Sequence, residues 1–62
     1  MYVLTIDIEG RALYYKGFIK NDKPVIDLDV NEAAIFLQKE TAERVKSGLK
    51  DDKFKVIEHK WL

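Results

Sequence analysis

The sequence predicts a small α+β domain: an antiparallel sheet of three or four strands, in β-β-β-α-β order, with one main helix packed on one face. Three observations carry this expectation. Tyr2, Leu4, Ile6 and Ile8 alternate with Val3, Thr5, Asp7 and Glu9, the period of a half-buried strand. Around Ala42, Val45 and Leu49 the apolar spacing becomes three and four, the period of a helix. β-Rich sequence then returns from Phe54 to Trp61. A chain of 62 residues is one domain, 1–62, with no room for a second. A domain of this size buries roughly 60% of its unfolded surface, so each core contact weighs heavily.

Met1 to Ile8 is the clearest strand. Glu9-Gly10-Arg11 supplies a turn, with Gly10 free to take positive φ. Ala12 to Ile19 is the returning strand, and Gly17 inside it signals a bulge or a close backbone approach. Asn21-Asp22-Lys23-Pro24 is a second turn, leading to a short strand from Val25 to Leu28. Asn31 to Leu49 reads as one helix or as two elements. Gln38, Lys39, Glu40 and Thr41 break the apolar face for more than a turn, which favours two. Asp29 and Glu32 have capping-box spacing for a single helical turn through Ala34. Ile35-Phe36-Leu37 then forms an extended piece that drops into the core. The main helix runs from about Lys39 to Lys46 or beyond, and Gly48 marks its end. Asp51-Asp52-Lys53 is a loop before a final strand, Phe54 to Leu62. Phe54 and Val56 share one face of that strand while Ile57 and Trp61 take the other, so either both faces are partly covered or a bulge shifts the register. Cover on both faces implies another subunit. In the core, Ala42, Val45 and Leu49 are expected to meet Leu4, Ile6, Phe54 and Val56.

Without cysteine, the chain has no disulfide, thiolate metal site or cysteine nucleophile. Its 11 basic and 11 acidic residues cancel, which weighs against a general nucleic-acid binder and weakens the repulsion that keeps molecules apart. Self-association as a homodimer follows as an expectation. The first residues lack a basic region, Asp7 interrupts the apolar run, and no uncharged stretch is long enough to span a bilayer. A cytoplasmic location away from membranes is expected.

Few residues suggest catalysis. His59 is the only histidine, and in a strand its neighbours Glu58 and Lys60 point to the opposite face. Asp27 and Asp29, with Glu32 nearby, have the chemistry to hold a hard cation, but the spacing lacks the glycine and terminal glutamate of a calcium loop, and helix-start carboxylates explain Asp29 and Glu32. Ser47 lies late in the helix, Thr5 and Thr41 have no neighbouring base, and the three glycines are too scattered for a phosphate loop. The expectation is therefore no enzyme, no cofactor and no metal. Lys16-Gly17-Phe18 matches the start of the aromatic signature of RNA-recognition sheets, but Ile19 and Lys20 depart from it. Tyr14, Tyr15 and Phe18, with Arg11, Lys16 and Lys20, nonetheless form a candidate surface for stacking bases and neutralising phosphate. As cross-strand aromatics they equally serve as sheet stabilisers. Trp61 is either a cap on the core or a contact surface. Tyr14, Tyr15, Lys16, Phe18 and Trp61 are thus the candidate interaction residues.

Ala34-x-Phe36-x-x-Lys39-x-x-Ala42-x-x-Val45, followed by Phe54-Lys55-Val56-Ile57-Glu58, resembles small uncharacterised proteins of phages infecting Gram-positive bacteria, staphylococcal ones especially. Ala34 and Phe36 stand one residue closer than in that pattern, and Gln38 occupies the usual Ser/Thr cap. A second resemblance is to bacterial YegP-like domains, whose helix begins similarly and which pair as tandem or dimeric units. Neither carries a catalytic residue onto this chain. Both imply a small cytoplasmic accessory protein, of phage or prophage origin, that binds a host or phage protein.

Overall fold

The computed structural model describes residues 1–61. Among these, four strands form one antiparallel sheet: β1 (Tyr2–Ile8), β2 (Arg11–Lys20), β3 (Lys23–Asp27) and β4 (Lys55–Glu58), in the spatial order β3-β2-β1-β4. One helix, α1 (Lys39–Gly48), lies across β1 and β4 on a single face. The α+β fold in β-β-β-α-β order is therefore the one expected.

Alternation along β1 sorts the side chains. Tyr2, Leu4 and Ile6 point toward α1, where Leu4, Ile6, Tyr15, Ala42 and Phe54 form the buried core. Val45, Leu49 and Val56 close around them, so the helix-to-sheet packing follows the apolar spacing. Tyr15 and Phe54 meet edge to face, with ring centroids 6.3 Å apart.

Both hairpins are tighter than the sequence suggested. Ile8 pairs directly with Arg11, so the first loop is Glu9-Gly10 alone, with φ of 53° and 80°. Lys20 pairs with Lys23, and the second loop is Asn21-Asp22, with φ of 54° and 62°. Two successive positive φ values define the turn whose twist matches that of the strands. Pro24 thus falls inside β3, opposite Ile19, where an edge strand tolerates its missing N–H.

Gly17 sits where the β2–β3 register shifts, between Tyr15 and Ile19, and has φ of 104°. A Cβ there would lie 3.2 Å from Cβ of Ala34. Both meanings of a glycine within a strand, bulge and close approach, hold at this one position.

Residues 31–49 divide into two elements. A 3-10 turn spans Val30–Glu32, and Asp29 caps it by accepting from the Asn31 N–H at 2.9 Å. The capping box is not completed by Glu32, whose carboxylate lies 3.7 Å from Lys16; the Asp29 N–H is instead taken by Asp27 at 2.8 Å. Phe36 then bonds β1 through Tyr2 in both directions, at 2.8 and 2.9 Å, and packs against the core. Its neighbours do not drop into the core as expected: Ile35 is 50% and Leu37 77% exposed. A three-residue extended run cannot aim adjacent side chains at one face.

α1 ends at Gly48, as expected; Leu49 is its C-cap, and Lys50 beyond it takes the left-handed conformation at φ 58°. β4 ends at Glu58, short of the predicted strand, and keeps an unbroken register against β1. The last residue of the predicted strand, Leu62, lies outside the described residues.

A candidate interaction surface

The residues that the sequence grouped as one aromatic surface are divided by the fold. Tyr15 is 6% exposed and belongs to the core beneath α1, so it cannot serve as a surface residue. Tyr14, one step along, faces away from α1 and pairs across the sheet with Thr5 and Asp27. Phe18 lies beyond the bulge and is 52% exposed. Lys16 is held between two carboxylates, 3.6 Å from Asp27 and 3.7 Å from Glu32, which offsets its charge locally. Stacking successive bases needs several rings on one platform. With Tyr15 buried, Tyr14 and Phe18 remain as the candidate rings, one on each side of the bulge.

The acidic cluster is likewise dispersed into separate tasks. One oxygen of Asp27 accepts from the Asp29 backbone and the other faces Lys16, while Asp29 caps the 3-10 turn. Among the described residues, no three His, Asp or Glu side chains converge on a point where a cation would sit. His59 lies just past β4, donates its backbone N–H to Met1 at 2.8 Å, and stacks edge to face on Trp61 with ring centroids 4.2 Å apart.

Trp61 joins neither the core nor an open surface. It is half-buried, and its indole N–H donates to the side-chain oxygen of Asn31 at 3.1 Å. Asn31 carried no signal in the sequence, because the two residues are 30 positions apart and meet only across the sheet.

Two surface features remain. A shallow groove of about 490 Å³ runs between the C-terminal end of α1 and the β2–β3 hairpin, with Ile6, Ile8, Pro24, Ile26, Leu49 and Phe54 along its floor and walls. The second is an apolar patch. The Tyr2–Phe36 bridge places Ile35 and Leu37 on the face opposite α1, beside Met1, which is 50% exposed. The triplet Ile35-Phe36-Leu37 is visible in the sequence, but only the pairing of Phe36 with Tyr2 decides that its neighbours point outward.

No protein-family model, curated protein or solved structure matches the chain. Among the described residues, no helix is long and apolar enough to cross a membrane.

Proposed function

We propose that the chain is a non-enzymatic interaction module that binds another protein. The observation that carries this reading is the exposed pair Ile35 and Leu37, held outward on either side of an anchored Phe36, with Met1 beside them. Exposed apolar side chains grouped on rigid backbone are the usual raw material of a protein interface. The acidic cluster supports the same reading, because Asp27, Asp29 and Glu32 are engaged in a turn, a cap and ion pairs. A homodimer is one partner arrangement, favoured by the zero net charge. Phage or prophage origin, a bacterial cytoplasmic setting and a host or phage protein as target rest on the pattern from Ala34 to Val45 and Phe54 to Glu58.

Affinity capture of the tagged protein from bacterial lysate, with and without nuclease, tests the proposal. A protein that survives nuclease and is lost with Leu37→Asp supports it. Recovery that collapses on nuclease treatment replaces it with nucleic-acid binding through Tyr14, Lys16 and Phe18. A monodisperse monomer by light scattering at high concentration removes the dimer.

A further inference from the structure

Val3 is fully buried, yet it stands between Tyr2 and Leu4 and so faces away from α1. It lies outside the core cluster under the helix. A sheet of four strands with one helix leaves that face open, so its cover comes from irregular chain. Two segments meet there. The 3-10 turn lies against β2, anchored by Glu32 to Lys16 and by the Ala34 N–H to the Tyr15 carbonyl at 2.8 Å. From the other side, residues 59–61 leave β4 and bring Trp61 to Asn31 of that turn. Cover that the sequence assigned to a second subunit is thus supplied by the chain itself.

The two segments are fastened very differently. The 3-10 turn is held by backbone hydrogen bonds and continues into the Phe36 pairing with β1. Among the described residues, 59–61 are tied by one backbone bond, His59 to Met1, and beyond it by an exposed side-chain bond, Trp61 to Asn31. An exposed hydrogen bond competes with water and contributes about 1 kcal/mol net. Segments with few such ties open at far lower free energy than the fold as a whole.

We infer that residues 59–61 form a strap that closes this second face, latched by Trp61 on Asn31. Opening the strap uncovers Val3 and Ile57 next to Ile35, Leu37 and Met1, and joins them into one apolar surface larger than the closed form presents. The strap is a conformational device of this chain alone. It bears on the proposed interaction surface, but it stands or falls without any partner.

Trp61 is the only tryptophan, so its fluorescence reads the latch directly. Asn31→Ala removes the acceptor and leaves the indole in place, whereas Asn31→Asp keeps an acceptor oxygen. In Asn31→Ala the emission shifts to the red, acrylamide quenching rises severalfold, and binding of an apolar dye increases, while far-UV circular dichroism is unchanged. Asn31→Asp behaves as the unaltered chain does. In a urea titration of the unaltered protein, the fluorescence change precedes the loss of circular dichroism. Emission, quenching and dye binding unmoved in Asn31→Ala would overturn the latch. Coincident fluorescence and dichroism transitions in urea would overturn a strap that opens separately from the fold. Capture of a partner from lysate is a separate readout, so failure there leaves these outcomes intact.

Discussion

Replacing Gly17 with alanine tests how the second strand, the 3-10 turn and the core are tied together. Two costs add at this position. A φ of 104° is one that a side chain rarely adopts, and holding a non-glycine residue in such a sparsely populated region costs about 1–3 kcal/mol. The new Cβ also lies 3.2 Å from Cβ of Ala34, closer than ordinary packing allows. Ala34 has little freedom to retreat, because its N–H is bonded to the Tyr15 carbonyl and its side chain packs against the core. Overpacking of this kind adds at least about 1 kcal/mol. The sum, about 2–4 kcal/mol, compares with about 3–9 kcal/mol for the whole domain at ~0.05–0.15 kcal/mol per residue. Urea denaturation followed by circular dichroism measures it, and thermal melting should fall by at least about 8 °C, given ~4–8 °C per kcal/mol in small domains. Gly10→Ala isolates the conformational cost, since φ there is 80° but nothing lies within 4 Å of the added carbon. If Gly17→Ala is no more damaging than Gly10→Ala, contact with Ala34 does not hold the bulge in place and the reasoning fails.

Other substitutions probe the remaining joints. Lys50→Gly relieves the left-handed backbone after α1 and should stabilise the domain by about 0.5–1 kcal/mol in denaturant melts. Gly48→Ala, in open space within the helix, should also stabilise by about 0.5–1 kcal/mol, opposite in sign to either strained glycine. Phe54→Ala empties the centre of the core and loses the edge-to-face contact with Tyr15; a cost of about 3–5 kcal/mol is expected, visible as a largely unfolded chain by circular dichroism. Leu37→Asp changes an exposed residue, so its melting curve should match the unaltered chain within about 0.5 kcal/mol while protein capture is lost. An equal loss of stability would place Leu37 in the fold and not at an interface.

Local chemistry made much of the fold legible. Alternation in β1 and three-four spacing in α1 identify which residues face each other, because burial of one face follows directly from backbone periodicity. Gly10 and Gly17 marked a turn and a bulge because few other residues adopt their conformations. Gly48 marks the end of α1, as read from the sequence. Where an ordinary residue takes the special conformation, as Lys50 does, composition carries no such mark. The aromatic surface was misread for a similar reason. Adjacent residues in a strand point to opposite faces, so Tyr14 and Tyr15 were bound to part, but only the position of α1 settles which of them is buried.

What the chain by itself determined is the order of its elements, the positions of the two turns, and the packing of Ala42, Val45 and Leu49 with Leu4, Ile6, Phe54 and Val56. These depend on interactions between near neighbours and on a repeating period. Tertiary structure alone decided the cover of the opposite face, the outward setting of Ile35 and Leu37, and the meeting of Trp61 with Asn31. Each of those depends on segments brought across the sheet from distant parts of the chain, a juxtaposition that no local pattern encodes.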